Sequence, residues 1–234
     1  MINYFQKIIK HIKNGTFLKV IKRYTLTKIR SVNRDVYNKY KYGNKAPLYA
    51  ERIWVKPEAV NNYIHGKTLI EQFNGVRSVR SMSGYVTNNK KIFQEAVSIF
   101  EIDKIKFCYE HWQQKKPWNQ TGRDKYYFKN FENNFFPDGL KDKKDIESRY
   151  ANLDEIFNYI KKQNRIKTRK EIYHNNFRES GGIFVHIGPK GNVYFGGGGS
   201  HRLAIAKILG IEFPAQIGVV HEDAIPILHK FRKN

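Results

Sequence analysis

The chain has 234 residues, of which 40% are hydrophobic and 15% aromatic, so it can bury a core and global disorder is excluded. Its formal net charge of +22 predicts attraction to nucleic acid, acidic membrane surfaces or polyanionic substrates, with a solvated basic surface as the alternative. Cys108 is the only cysteine, which excludes an internal disulfide and a cysteine-based metal knuckle. No apolar run approaches the roughly 18 residues of a membrane span and no signal-peptide pattern is present, so we expect a cytoplasmic location.

Residues 1–50 are predicted to form a basic, mainly helical extension. Residues 1–45 carry twelve Lys or Arg and a single acid, Asp35. Four apolar residues repeat at helical spacing with lysines between them, namely Phe5, Ile8, Ile9 and Ile12. Such a helix can lie on anionic lipid at the inner membrane face, dock on a partner or pack on the protein's own core. An anionic membrane surface contacted through residues 1–30 is therefore one candidate partner.

Residues 51–106 are predicted to be an α/β elaboration, joined to the extension by a polar, tyrosine-rich connector at 37–49. Residues 51–57 alternate as in a strand, which Pro57 would stop, and residues 58–64 are predicted to be a short helix. The rest of this segment gives ambiguous patterns, with candidate strands at 68–73 and 76–79 and a candidate helix at 92–100.

The third segment, residues 107–234, holds the clearest motifs. Four aromatic residues near its start can form a lid or a stacking platform for a base or sugar, or can simply pack a loop: Trp112, Trp118, Tyr126 and Tyr127. Residues 145–162 are predicted to form a helix. Its apolar face consists of Tyr150, Leu153, Ile156, Phe157 and Ile160.

A strand, a turn, a second strand, a glycine loop, a helix and a last strand follow in this order. The strand at 181–188 is apolar, the turn after it contains Pro and Gly, and residues 192–195 pair back as a hairpin. The helix begins after the loop at 196–199 and ends at Gly210, a natural C-cap. The last strand is predicted at 211–220.

The glycine loop and the start of this helix predict a phosphate cradle. Glycines let the backbone adopt unusual conformations and let a ligand approach closely, and Ser200 is expected to be the helix N-cap. A helix N-terminus presents free N–H groups and a partial positive charge, while Arg202 can fork onto a phosphate and His201 can add a donor. Close packing of a strand on a helix is the alternative explanation. The predicted nucleotide-binding residues are Gly197, Gly198, Gly199, Ser200, His201 and Arg202.

Three residues are candidate catalytic groups: Glu179, His186 and His201. Glu179 flanks the strand beside the loop, and His186 lies on that strand on the same face as Phe184. A histidine there can also be an ordinary core residue. His221, at the end of the last strand, can reach the same site or be exposed. Spacing supports neither a carboxylate pair nor a Ser-His-Asp set, and no metal ligands are predicted.

This order of elements resembles the ParB/sulfiredoxin-like superfamily, and is most similar to uncharacterised ParB-like proteins, some of which sit among surface-glycan genes. The matching residues are Trp118-Asn-Gln-Thr121 with Tyr126-Tyr127, Leu153-Asp154, Ile187-Gly188 with Gly191, and Gly199-Ser-His-Arg-Leu-Ala-Ile-Ala-Lys207. The resemblance covers about residues 107–222. It implies an α+β fold with a small mixed β-sheet and packed helices, and makes residues 107–234 a ParB/sulfiredoxin-like domain.

The resemblance implies that Gly199, Ser200, His201 and Arg202 hold the phosphates of ATP or a related nucleotide, with Mg²⁺ as a further cofactor. Sulfiredoxins have a nucleophilic Cys where this chain has Ser200, so sulfinic acid reduction is not expected. Many relatives place Asp just before the loop glycine, whereas this chain has only glycines from Gly196 to Gly199. The helix-turn-helix DNA reader of chromosome-partitioning ParB proteins is not expected, although charge-driven nucleic-acid binding is.

Three functions remain open from the sequence. Relatives that phosphorylate free serine suggest a nucleotide-dependent phosphotransferase acting on a small hydroxylated acceptor, such as a sugar or glycan precursor. The second function is a non-catalytic nucleotide- or nucleic-acid-binding module that uses the basic surface. The third is a membrane-surface accessory protein.

Overall fold

The computed structural model of the protein describes residues 17–73 and 78–233, with side chains from residue 25 onward. The predicted helix around residues 5–12 and the first half of the candidate strand at 76–79 lie outside this part of the chain. Within it, the protein has a mixed α+β fold built on one seven-stranded mixed sheet, which confirms the predicted class. No helix among these residues is both long and apolar enough to cross a membrane.

The helices are α1 Phe17–Tyr42, α2 Gly66–Gln72, α3 Lys91–Gln94, α4 Asp103–Trp112, α5 Arg123–Glu132, α6 Lys143–Gln163, α7 Arg169–Ile172 and α8 Ser200–Leu209. The strands are β1 Arg52–Val55, β2 Val60–Tyr63, β3 Val86–Thr87, β4 Val97–Ser98, β5 Ile183–Ile187, β6 Val193–Phe195 and β7 Phe213–His221. A 3-10 stretch, Glu222–Phe231, follows β7.

The sheet has the order β1-β7-β5-β6-β2-β4, and β3 runs parallel to the C-terminal end of β7. Its central strands β5 and β7 are parallel and buried over their whole length, which explains their nearly continuous apolar sequences. Strands β5 and β6 are antiparallel, which confirms the predicted hairpin. The sheet joins strands from residues 51–106 with strands from residues 107–234.

Two predictions in the middle segment are wrong, one because pairing within the sheet overrides the local pattern and one because a helix that buries Leu69 forms instead. Residues 58–64 do not form a helix: after a short 3-10 turn at Pro57–Ala59, β2 extends parallel to β6. Residues 68–73 are not a strand and lie mostly in α2. The candidate helix at 92–100 divides into the short α3 and the edge strand β4.

The glycine motif forms the predicted strand, loop and helix. Helix α8 ends at Gly210, whose φ is 67°, and it buries residues 203–206 in the core while packing on α4. The helix predicted at 145–162 is also confirmed, as α6. The connector predicted at 37–49 is wrong in its first part, since α1 continues through Tyr42.

Gly196 begins the loop after β6, at a position where no larger residue fits. A Cβ there would lie 2.5 Å from His186 Nε2 and 2.6 Å from Phe184 Cδ1, and both rings are fully buried on β5. We expect Gly196→Ala to lower the free energy of unfolding by about 2 kcal/mol, measured by urea denaturation, because overpacking displaces a buried ring. Gly122→Ala is the matched control, since nothing lies within 4 Å of its added Cβ. Equal stability of the two variants would contradict this close approach.

Candidate functional site

The glycine loop presents backbone N–H groups at the start of α8. Gly199 is the N-cap, in the left-handed conformation at φ 91°, and the first helical hydrogen bond runs from Leu203 N to Gly199 O. The prediction that Ser200 is the N-cap is therefore wrong, because Ser200 is the first helical residue. The N–H groups of Ser200, His201 and Arg202 have no intrahelical acceptor, and the helix dipole adds partial positive charge to them.

A cavity of about 520 Å³ opens at this helix N-terminus. Of the predicted nucleotide-binding residues, Gly198 does not line the cavity, whereas Gly197, Gly199, Ser200, His201 and Arg202 do. Basic side chains from α4, α6, α8 and residues 165–169 surround it: Lys104, Arg149, Arg165, Lys167, Arg169 and Arg202. Asp138 is the single acidic residue in this lining. The cavity therefore favours an anion strongly.

Three arginines around the loop, Arg80, Arg169 and Arg202, are close enough for their charges to repel one another. The charge of the buried Glu179 carboxylate shifts the pKa of Arg202 in the direction opposite to this repulsion. Arg202 Nη2 donates to Gly181 O at 2.7 Å. Burial lowers the pKa of Arg202 to about 10, and the charges of Arg169 and Arg80 act in the same direction. Burial and the charge of Arg169 lower the pKa of Arg80 as well. An anion bound in the cavity beside Arg169 and Arg202 would offset the repulsion between these two guanidinium groups.

Arg80 does not line the cavity, but it contacts the glycine loop. Its guanidinium donates to Gln216 Oε1 at 2.8 Å and to Gly182 O at 2.9 Å. A Cβ on Gly198 would overlap this guanidinium, so Gly198 makes room for Arg80. Arg169 Nε is buried without an acceptor among the described residues, which leaves a costly unpaired donor beside the cavity.

A hydrogen-bond chain connects His201 to Asp138 through two buried tyrosines. His201 Nε2 lies 3.0 Å from Tyr150 OH, which lies 3.2 Å from Tyr127 OH. Tyr127 OH donates to Asp138 Oδ2 at 2.9 Å, and Lys104 Nζ donates to the same oxygen at 2.7 Å. Burial alone would raise the pKa of Asp138, but the hydrogen bond and charge of Lys104 outweigh it and hold this pKa below its usual value. The Asp138 carboxyl is therefore ionised at neutral pH.

The ionised carboxylate of Asp138 determines which group donates in each hydrogen bond between Asp138 and His201. A carboxylate only accepts, so Tyr127 donates to Asp138 and must accept from Tyr150. Burial raises the pKa of both tyrosines, which stay protonated. Tyr150 therefore accepts from His201, and the imidazole proton lies on Nε2. His201 Nδ1 keeps its lone pair and has no partner among the described residues, which makes it an acceptor rather than the predicted phosphate donor.

Burial keeps the imidazole of His201 neutral by lowering its pKa to about 3, against the opposing charge of Asp138. A neutral ring with a bare Nδ1 can accept a proton only if the Nε2 proton leaves along the tyrosines. The chain from His201 to Asp138 provides that path, and we call it the relay. Chemically, it can take a proton from a hydroxyl in the cavity without forming a buried imidazolium.

Glu179 is buried and does not line the cavity. It is 1% exposed, and its Oε1 accepts from Arg169 N at 3.0 Å. Burial raises the pKa of Glu179, although the hydrogen bond from Arg169 and the charges of Arg52 and Arg202 oppose the shift. Its position makes it a counter-charge for the arginines.

His186 and His221 are also buried and outside the cavity lining. His186 Nδ1 accepts from Val219 N at 2.9 Å, and burial lowers the pKa of His186 to about 3. His221 is 1% exposed and its Nδ1 accepts from Asp223 N at 3.2 Å, so the alternative that it is exposed is wrong. Of the three histidines considered, the structure brings only His201 to the cavity.

Asp154 on α6 holds the two tryptophans of the aromatic segment. Trp112 Nε1 donates to Asp154 Oδ1 at 2.7 Å, and Trp118 Nε1 donates to Oδ2 at 2.8 Å. The Trp118 ring packs edge-on against Tyr150 at a centroid distance of 4.7 Å. These contacts favour packing over a lid, and they fix the tyrosine that adjoins His201.

Among the residues that the structure describes, Asp138 is the only carboxylate that lines the cavity and could contact a cation bound there. No group of three His, Cys, Asp or Glu side chains suited to a metal ion occurs in the part of the chain that is described. A Mg²⁺ ion in the cavity would depend on ligand phosphates for most of its oxygens, as this ion commonly does. Asp138 Oδ1 accepts no hydrogen bond from the described residues and can supply one such oxygen.

Motifs and spacing in the sequence do not point to most of the charged residues in this site, namely Lys104, Asp138, Arg149, Arg165, Lys167 and Arg169. Comparisons of the chain with protein-family models, curated proteins and solved structures found no match. We therefore infer the function from the geometry and charge of the cavity.

Proposed function

We propose that the cavity at the start of α8 binds the phosphates of an ATP-type nucleotide. The observation that carries the proposal is the charge of the lining, with six Lys or Arg against one Asp around a helix N-terminus. A phosphate group matches both features, because it brings negative charge and several acceptor oxygens. The cavity volume of about 520 Å³ lies within the range of roughly 300–1,000 Å³ that is usual for small-molecule sites.

The remainder of the lining supports a nucleotide rather than a bare phosphate. Apolar side chains of α6, Ile166 and α8 also line the cavity, and a base or ribose can pack on them: Leu153, Ile156, Ile160, Ile166 and Ile205. The resemblance to the ParB/sulfiredoxin-like superfamily supports the same assignment, since its members bind nucleotide phosphates at the loop and helix start that correspond to Gly199–Arg202 here.

Phosphoryl transfer to a small hydroxylated acceptor, such as a sugar or a glycan precursor, is the reaction for which the cavity has suitable groups. Charge on the transferred phosphoryl group needs neutralisation, which Arg169 and Arg202 can supply. The acceptor hydroxyl must lose a proton, which His201 Nδ1 can take while the relay carries another proton to Asp138. Asp138 can then release this proton to solvent, since 31% of its side chain is exposed.

Calorimetric titration with ATP, CTP and ADP, with and without Mg²⁺, tests the binding proposal. We expect saturable binding that weakens at least about tenfold in the double variant Arg149→Gln/Lys167→Gln, because two charge-assisted contacts to phosphate are removed. Arg149 is exposed, and the Nζ of Lys167 lies 4.9 Å from the ring centroid of the exposed Tyr159, so the fold should tolerate both changes. Arg202→Ala is less suitable, because Arg202 also holds Gly181.

Lys125→Gln/Lys144→Gln is the matched control, since it removes the same charge from exposed positions outside the cavity. Equal affinity of the cavity variant and this control would place the nucleotide elsewhere. No binding of any nucleotide would refute the proposal. Binding without phosphoryl transfer to any acceptor would reduce the function to a non-catalytic nucleotide-binding module.

A further inference from the structure

Helix α1 is attached to the rest of the protein by polar contacts and by Tyr42 at its C-terminal end, which packs against the core. Asn38 is fully buried, and its Nδ2 donates to Pro47 O and to Gly84 O, both at 2.7 Å. Asp35 accepts from Tyr49 N at 2.7 Å through Oδ1, and its Oδ2 pairs with the Arg178 guanidinium at 2.7 Å. These bonds fix which face of α1 points toward the sheet.

The opposite face of α1 carries an exposed apolar stripe. Its members recur every three or four residues and are 40% to 89% exposed: Leu26, Ile29, Val32, Val36 and Tyr40. In an ordinary surface helix the apolar residues face the core and the polar residues face water. The described part of α1 has the reverse arrangement, so its apolar stripe needs a partner outside the described chain.

Basic residues flank this stripe on both sides. At helical spacing, Lys39 lies on one side of the stripe, and Arg30 and Lys41 lie on the other, and all three are exposed. The sequence of α1 contains eight Lys or Arg and one acid, Asp35, whose charge is already paired with Arg178. A second copy of the helix would bring like charges together, whereas an acidic lipid surface complements both the stripe and its flanks.

We infer that α1 docks the protein on an anionic lipid surface, with the stripe from Leu26 to Tyr40 inserted at the level of the headgroups. Apolar side chains enter the boundary with the acyl chains, while Arg30, Lys39 and Lys41 extend to the phosphates. The polar contacts of Asn38 keep the body of the protein on the water side. This surface overlaps the end of the 1–30 segment suggested by the sequence and extends it to Tyr40, and it is independent of the proposed nucleotide site.

Co-sedimentation of the full chain with phosphatidylglycerol/phosphatidylcholine vesicles tests this inference. We expect binding that is absent with pure phosphatidylcholine and falls at least about tenfold in Ile29→Asn/Val36→Asn. Arg30→Gln/Lys39→Gln should weaken it by about fivefold per charge at low salt. Both pairs are exposed, so the variants should fold.

Two controls distinguish vesicle binding by the stripe from non-specific binding by other exposed apolar residues and from binding by the basic N-terminal segment. Phe135→Asn/Phe128→Asn removes exposed apolar side chains outside the cavity lining, which are 59% and 40% exposed, and should bind vesicles normally. In a second measurement, Val36→Cys labelled with an environment-sensitive fluorophore should shift to the blue on anionic vesicles. The label will be specific, because Cys108 is buried and burial raises the pKa of its thiol.

Unchanged vesicle binding of the Ile29→Asn/Val36→Asn variant would overturn the inference, and so would an unshifted label. Self-association of the full chain that this variant abolishes, without vesicle binding, would also overturn it and would identify the stripe as an interface between copies. Loss of binding in the stripe variant together with normal binding of the control supports docking on lipid.

Discussion

Two buried histidines are expected to lower the free energy of unfolding by about 4 kcal/mol when the pH falls from about 7 to about 5. The reason is that both imidazoles must stay neutral in the folded protein. Burial lowers the pKa of His186 and of His201 from 6.5 to about 3. In the unfolded chain both rings bind a proton near pH 6.5. Between these two pH values the unfolded state binds more protons than the folded state does. The contribution of the two histidines to the free energy of unfolding is therefore complete above about pH 6.5 and is lost as the pH falls toward 3.

The size of the effect follows from proton linkage. Each histidine contributes a slope that approaches about 1.4 kcal/mol per pH unit below its unfolded pKa. Glu179 acts in the opposite direction, because burial raises its carboxyl pKa and its contribution falls as the pH rises through that pKa. Differences between variants that share Glu179 isolate the histidine contributions.

Conservative variants can test each histidine separately by urea denaturation across this pH range. His186→Asn keeps an acceptor for Val219 N–H, and His201→Gln keeps a donor for Tyr150, while neither new side chain titrates. Each variant should lose about 2 kcal/mol of the pH dependence. His174→Asn, at an exposed position, is the control. A pH dependence in His186→Asn equal to that of the parent would show that His186 is not held neutral by burial.

The parts of the site that sequence could predict are those that local chemistry determines. The glycines at 196–199, the helix-forming run after them and the C-cap at Gly210 are contiguous, so propensity and capping rules apply directly. Capping rules do not distinguish Ser200 from Gly199 as the N-cap, because both residue types suit that position, and the left-handed φ of Gly199 decides between them. Local patterns do not predict strand β2, because its partner β6 lies far along the chain.

The relay and the basic lining could not be predicted from spacing, because they join residues distant in sequence. Helical spacing places Tyr150 on the apolar face of α6, but its hydroxyl forms a hydrogen bond with His201, which lies 51 residues away in the sequence. A buried tyrosine usually needs a hydrogen-bond partner, which was the available signal. Asp138 lies in a short turn with a positive φ of 58°, and nothing in its neighbourhood points to the cavity. Isolated basic residues are common throughout this chain, so their positions in the sequence do not show which of them the fold brings to the cavity.

Breaking the relay is expected to reduce phosphoryl transfer at least about 100-fold while nucleotide affinity stays within about twofold. Tyr127→Phe removes the hydroxyl that links Tyr150 to Asp138 without touching the cavity lining. His201→Gln removes the proton-accepting Nδ1 and keeps the donor to Tyr150. Turnover is measured with ATP and a panel of serine, sugars and glycan precursors, with water as the acceptor in their absence.

Comparison of Tyr127→Phe with Asp138→Asn distinguishes the relay from direct action of the Asp138 carboxylate. In the relay, the acceptor proton passes to His201 Nδ1 while the Nε2 proton moves to Tyr150. The proton of Tyr150 moves to Tyr127, and that of Tyr127 to Asp138, so either variant stops turnover. If Asp138 were itself the base, Tyr127→Phe would retain most of the activity and Asp138→Asn would not. Full activity in His201→Gln would exclude Nδ1 as the proton acceptor. Equal losses of activity in His201→Gln, Tyr127→Phe and Asp138→Asn would show that turnover requires the whole relay.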